Sequence, residues 1–230
     1  MARFVWLEGI SDYAEVHALQ QQLLEQRAAG AIDDVVLLLE HAETITVGRQ
    51  RGAAANVLFP EGVPVVDVER GGDVTWHGPG QLVAYPIVKL EGARADLHLH
   101  LRSLEQAVID LLSGLGLDGG RDPRNTGVWL PSPSGPPRKV CSIGIACRRW
   151  VTWHGLALNV RPDPGAFRRI RPCGFEPDVM TRLLEHLGRD CPTPESLAPA
   201  LAVHLAEQLQ VRLDAYERAA RPGEVADLVG

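Results

Sequence analysis

The stretch Arg70-Gly71-Gly72-Asp73-Val74-Thr75-Trp76-His77-Gly78-Pro79-Gly80-Gln81 runs directly into the apolar segment Leu82-Val83-Ala84-Tyr85-Pro86-Ile87. Its four glycines tolerate positive φ and close backbone approach, so the segment reads either as tight turns or as a surface pressed against a ligand. Thr75, His77 and Gln81 add polar groups that a plain connector does not need, which favours the ligand surface. Residues 82–88 then read as a buried strand.

Outward from this segment the pattern alternates strands and helices. From Ser11 to Gly30, Tyr13, Val16, Leu19, Gln20, Leu23 and Leu24 recur at helical spacing. Residues 35–39, 44–47 and 65–68 read as strands, and 97–115 as the longest helix, closed by glycines. A turn-rich loop follows. Residues 139–160 read as a hairpin of two strands, the second interrupted at Gly155. Thr193-Pro194-Glu195 starts a helix that continues through 197–211. The fold class is α+β or mixed α/β, with helices packed over a sheet, organised as one domain over 1–221 and a weakly ordered tail at 222–230.

The 230 residues, 45% of them hydrophobic, suffice for a substantial core. A formal charge of −6 gives no support to nucleic-acid or anionic-membrane binding. No apolar run approaches the ~20 residues of a membrane span, and the first ten residues lack secretory-signal character, so the expected compartment is the cytoplasm. Cys141, Cys147, Cys173 and Cys191 form no Cys-x-x-Cys pair, which argues against structural zinc and a disulfide scaffold. Cys141 and Cys147 read as small buried hydrophobes and Cys191 as loop.

The basic residues are arginines except Lys89 and Lys139. A guanidinium keeps its proton at any accessible pH whereas an ammonium can lose it, so Lys139, retained beside Arg138, is a candidate for proton transfer and Lys89 for a surface role. Cys173 sits in Arg171-Pro172-Cys173-Gly174-Phe175 with Arg168 and Arg169 close by, the surroundings in which cations favour a thiolate. Its candidate partners by residue type are Lys139, His77 and His154, although a histidine beside glycine equally serves to hold a turn. Metal binding by His77, His154 and Cys173 lacks any short ligand spacing, and no metal is expected.

Several motifs together resemble the lipoyl(octanoyl) transferase family. They are 70–87; Leu37-Leu38-Leu39-Glu40-His41 with Val47-Gly48-Arg49; Lys139-Val140-Cys141-Ser142-Ile143-Gly144 running into His154-Gly155-Leu156-Ala157-Leu158-Asn159-Val160; and Pro172-Cys173-Gly174. Their order and number make the resemblance specific over most of the chain. It implies the biotin/lipoate protein ligase type of catalytic domain, a mixed sheet flanked by helices with a small accessory sheet. It also implies octanoyl transfer from acyl carrier protein to the lysine of lipoyl domains, in 2-oxo acid dehydrogenase complexes or the H protein of glycine cleavage. Cys173 would carry the acyl group and Lys139 would lower its pKa and move protons. The donor pocket would be built from Arg70, Gly71, Gly72, Asp73, Val74, Thr75, Trp76 and His77, from Ser142, Ile143 and Gly144, and from Gly155, Leu156 and Ala157. His154, Gly78 and Gln81 would support it. Three departures stand out: Trp76 where tyrosine is usual, Cys141 where alanine is usual, and Met180-Thr181-Arg182 in place of a segment ending Val-Thr-Ser. Such changes bear on chain-length preference or the pocket rim.

Thioester exchange is nearly balanced and amide formation from a thioester is downhill, so no cofactor is expected; there is also no Gly-x-x-x-x-Gly-Lys phosphate loop. Backbone amides near Gly72, Gly78 or Gly144 are candidate oxyanion donors. Val140, Ile143 and Leu156 are candidates to line an acyl channel, where six methylenes at ~0.8 kcal/mol each would contribute ~5 kcal/mol. Arg148, Arg149, Arg168, Arg169 and Arg171 are expected to dock acidic carrier proteins, with the enzyme a monomer. The rival readings are an ATP-dependent lipoate or biotin ligase, a non-catalytic carrier-binding homologue and, more distantly, a cysteine hydrolase using His77 or His154.

Overall fold

The run Val35-Val36-Leu37-Leu38-Leu39 is apolar without alternation, the pattern of a strand covered on both faces. The computed structural model describes residues 1–123, 125–133 and 135–229, except the side chain of Cys173, and it places that run at the centre of the main sheet. In chain order the elements are β1 (Ala2–Ser11), α1 (Tyr13–Ala28), β2 (Asp34–His41), β3 (Thr44–Val47), β4 (Val65–Asp67), β5 (Val74–His77), β6 (Gln81–Ile87), α2 (Leu97–Gly114), β7 (Gly120–Asp122) and β8 (Asn125–Ser132). They continue with β9 (Gly135–Arg148), β10 (Val151–Asn159), α3 (Leu183–Leu187), α4 (Pro194–Gln208), β11 (Leu213–Ala219) and α5 (Pro222–Val229). Eight strands form one sheet in the order β11-β1-β2-β6-β10-β9-β8-β7, parallel among β11, β1 and β2 and antiparallel from there on. A second sheet, β4-β3-β5, has three strands.

Alternation along β2 sends Val36 and Leu38 into the core beneath α2 and α4, and Val35, Leu37 and Leu39 into the core beneath α1 and α5. A third cluster, around Ile45, Val74, Trp76, Phe167 and Ile170, fills the space beneath the small sheet. Helix starts follow local chemistry. Asp12 Oδ1 accepts from Ala14 N and Glu15 N at 2.8 and 3.1 Å, and Thr193 forms a reciprocal capping box with Ser196. The cap of α1 is thus Asp12, and Ser11 instead closes β1.

Several elements depart from the expectation. Strands β1 and β11 carry little alternation of their own and exist through parallel pairing, as of Phe4 with Tyr216. Strand β8 occupies what composition reads as loop, because Gly127 and Pro131 lie within it. Strand β10 is not interrupted at Gly155, which pairs across from Gly144. The expected loose tail at 222–230 is instead α5 over 222–229, held because Val225 and Val229, four residues apart, bury against the α1 face. Among the described residues no helix is long and apolar enough to cross a membrane.

Candidate active site

The two sheets enclose a cavity of about 300 Å³, at the lower end of the usual range for ligand pockets. Segments far apart in sequence converge on it: 70–75 and His77, 142–145 of β9, 154–157 of β10, Lys139, and Pro172. The glycine segment closes onto the main sheet through Gly71 N, which donates to Ile145 O at 2.8 Å. Of the residues expected at a donor pocket, Arg70 to Thr75, His77, Ser142 to Gly144, and Gly155 to Ala157 line the cavity, as does His154.

Trp76, Gly78 and Gln81 do not. Along β5 the side chains of Val74 and Trp76 enter the core below the small sheet, where the Trp76 indole meets the Phe167 ring edge-on at 5.3 Å. Gly78 serves that packing, since a Cβ there would lie 2.1 Å from the indole. Gln81 Oε1 lies 3.2 Å from His77 Nδ1 and accepts from it in the tautomer protonated there, while Gln81 Nε2 donates to Asn159 Oδ1 at 3.0 Å. Cys141 and Val140 also point away, into the core under α2. The substitutions at 76 and 141 therefore alter packing behind the cavity rather than its wall.

Arg70 is buried, and its guanidinium donates to Asp73 O at 2.7 Å and to Thr46 O and Oγ1 at 2.8 and 2.9 Å. Asp73 accepts from Asn56 Nδ2 at 2.6 Å and from Val74 N at 2.8 Å. Both charges thus brace the loop, and Asp73 is poorly placed as a base. Burial, with His41 and Arg70 nearby, pushes His77 well below its ordinary value. Burial also lowers His154 to about 3, with His17 and Arg70 adding to the effect, and His41 to about 4. The phenols of Tyr13 and Tyr85, which also face the cavity, are held protonated by burial. Arg70 and Asp73 apart, both engaged in bracing the loop, the imidazoles and phenols on this side are neutral at neutral pH, which leaves no imidazolium to stabilise a thiolate.

Lys139 lies at the other end, 3% exposed. Its Nζ donates to Asn125 Oδ1 at 2.7 Å and sits 5.5 Å from the centre of the Trp129 ring. Its carbonyl accepts from Thr181 N at 2.9 Å, while Asn159 Nδ2 donates to Thr181 O at 3.0 Å, which ties the lysine's strand to the network behind His77. The lysine's path needs Gly127, whose φ is +131° and where a Cβ would be 2.6 Å from Lys139 Cε. Trp129 meets Phe175 edge-on at 6.2 Å, two residues beyond Cys173. The backbone of Pro172–Gly174 forms a short 3-10 turn, with Pro172 at the cavity. The Cys173 side chain lies outside the described residues. The other three thiols are all raised by burial, Cys141 to about 12. Cys141 and Cys191 are buried and Cys147 only half-buried, so the expectation for Cys147 is not met in full and Cys191 belongs to the core.

Asn125, Thr126, Gly127, Tyr13, Tyr85 and Leu101 join the site without having stood out in the sequence. Only the Asn-Thr-Gly triplet carried a local signal, and it reads as a turn. Of the candidate oxyanion donors, Gly72 and Gly144 line the cavity; of the acyl-channel candidates, Ile143 and Leu156 do. The arginines do not form one free patch. Arg148 and Arg149 pair with Glu25 of α1 at 2.8 and 3.2 Å, Arg169 with Glu43 at 3.3 Å, and Arg171 with Glu176 at 3.8 Å. Arg168 opens instead onto a smaller cleft, about 80 Å³, shared with Arg138 and Arg182.

The profile of the lipoyl protein ligase A/B catalytic domain matches residues 12–206. The chain is 43% identical over 201 residues to an octanoyltransferase of Acidothermus cellulolyticus, covering 87% of this chain and 89% of that one. It is 41% identical over 218 residues to an octanoyltransferase of Gloeobacter violaceus, covering 93% and 94%. Among solved structures, the bipartite lipoate protein ligase of Thermoplasma acidophilum superposes with a TM-score of 0.70 at 16% identity, covering 99% of this chain and 91% of that one. That likeness concerns the fold: a mixed sheet flanked by helices plus a small three-stranded sheet.

Proposed function

The chain belongs to the lipoyl protein ligase A/B catalytic-domain family, and on that premise we propose that Cys173 and Lys139 carry its chemistry. The protein is an acyltransferase that transfers octanoyl groups in lipoate biosynthesis, as its octanoyltransferase relatives do. Lipoyl-domain proteins are its acceptors, and acyl carrier protein supplies the octanoyl thioester. One observation carries the assignment of roles: buried Lys139 and the Pro172–Gly174 turn border one cavity whose far wall holds imidazoles only in the neutral form.

In this mechanism Lys139 takes the Cys173 proton, and the thiolate attacks the donor thioester carbonyl. Backbone amides of the Gly72 and Gly144 segments, which line the cavity, would hold the oxyanion. As the carbon–sulfur bond to the pantetheine breaks, Lys139 returns its proton to the departing sulfur, which leaves an octanoyl-enzyme thioester and a neutral lysine. The acceptor amine then attacks, gives a proton to Lys139, and Cys173 departs as thiolate. Asn125 Oδ1, which accepts from Lys139 Nζ at 2.7 Å, would keep that amine oriented through both halves. No nucleotide or metal is consumed.

The fold is shared with ligases that use ATP, so the test is chemical. Incubation with octanoyl-carrier protein in the absence of ATP is expected to add one octanoyl group by intact mass, released by hydroxylamine or by an added lipoyl domain. Cys173→Ser is expected to show no adduct and Lys139→Arg to form it slowly. An absolute requirement for ATP, or a full adduct on Cys173→Ser, would overturn the assignment.

A further inference from the structure

Beside the cavity, on the side away from Lys139, α1 and β10 bring two imidazoles to one carboxylate. His17 Nε2 lies 3.0 Å from Glu69 Oε2, and His154 Nε2 lies 3.7 Å from the same oxygen. One donor atom from each of the three residues falls within 4.8 Å of the other two. A tetrahedral ion with ligand bonds of ~2.0–2.1 Å holds its donors ~3.3 Å apart, so two edges already bracket that separation and the third closes by side-chain rotation.

A second observation points to a ligand. His154 is 2% exposed, and its Nε2, directed at Glu69, has no hydrogen-bond partner among the described residues. A buried orphan of this kind is destabilising unless something fills it. The arrangement is also held rigidly. Gln20 Oε1 accepts from His154 N at 2.8 Å, the residue sits at φ +54°, and its ring stacks on Trp153 at 4.5 Å and on His17 at 5.7 Å.

From this geometry we infer that His17, Glu69 and His154 form a binding site for one transition-series divalent cation of the zinc class. Two nitrogen donors and one carboxylate select against magnesium and calcium, which prefer all-oxygen shells. The set leaves a fourth position for water, and His154 forms part of the cavity wall, so the bound ion would sit at the edge of the acyl pocket. It would also link α1, the residue preceding the glycine segment, and β10, which are joined here by ring stacking and by the His17–Glu69 and His154–Gln20 hydrogen bonds. The inference does not depend on the transfer mechanism, because its readout is metal binding.

Calorimetric titration with Zn²⁺ is expected to give one strong site per chain, with the melting temperature raised by about 5 °C or more once zinc exceeds its Kd 100-fold. His17→Ala and Glu69→Gln, both at partly exposed positions, are expected to weaken that site more than tenfold while keeping the apo melting temperature. Co²⁺ is expected to show ligand-field bands without a sulfur charge-transfer band, and to show them equally in Cys173→Ser. Binding unchanged by both substitutions, a thiolate band lost in Cys173→Ser, or no strong site at all would each overturn the inference.

Discussion

Replacing Gly127 by alanine tests whether the path of Lys139 is set by its neighbour in β8. The residue has φ +131°, a region that alanine occupies at a cost of ~1–3 kcal/mol. Its Cβ would stand 2.4 Å from Cys141 O and 2.6 Å from Lys139 Cε. The carbonyl belongs to a paired strand, so β8 itself must give at position 127, and the flexible lysine must move by roughly 1 Å to reach ordinary contact. Strain and repacking together predict a loss of about 2–4 kcal/mol, or a fall in melting temperature of roughly 5–15 °C at ~2–4 °C per kcal/mol. A displacement of ~1 Å in a reacting group costs about 100-fold in rate. Octanoyl transfer measured well below the lowered melting temperature should therefore drop by about two orders of magnitude in kcat/KM. Gly135→Ala, where an added Cβ meets nothing within 4 Å, should leave both quantities unchanged. A folded Gly127→Ala enzyme with wild-type kcat/KM would refute the reasoning, because Lys139 would then tolerate the crowding or take no part in the chemistry.

Asn125→Ala removes the acceptor 2.7 Å from the Lys139 ammonium, a charged hydrogen bond of ~1.5–3 kcal/mol, and is expected to lower kcat/KM about 10–100-fold. Asn125→Asp should instead shift the alkaline limb of the pH–rate profile upward, since a carboxylate there favours the protonated lysine. Thermal stability should fall on acidification. His154 and His41 have folded pKa values of about 3 and about 4, below the ordinary 6.5, so the unfolded chain binds more protons between those values. Their stabilising contribution is complete above pH 6.5 and lost progressively toward pH 3–4. A melting temperature recorded from pH 7 to pH 4 should fall more steeply in the wild type than in His41→Asn. Arg168→Glu is expected to raise KM for acyl carrier protein several-fold at low salt, with little change for a small octanoyl thioester, while Arg148→Glu, at the pair with Glu25, should act more weakly. Equal effects on both donors would show that Arg168 acts on the fold rather than on docking.

The central strands and long helices were legible because burial on both faces, or on one helical stripe, leaves a local signature: β2, β6, α1, α2 and α4 lie close to where pattern places them. The segments that line the cavity were legible too, since glycine next to polar residues marks backbone approach whatever it approaches. The strands toward the two ends of the sheet were not. Strands β1, β8 and β11 carry mixed composition, and each becomes a strand only because a neighbouring strand offers it hydrogen bonds. The same holds within the site. Sequence singled out Lys139 as an amine that arginine cannot replace, but the Asn125 acceptor and the space at Gly127 arise from strand pairing. Only the third dimension turned the Trp76 indole away from the cavity and set His17 beside Glu69 and His154. Residue chemistry and local periodicity are properties of short segments, whereas orientation, burial and the depressed imidazole pKa values depend on which distant segments exclude water from one another.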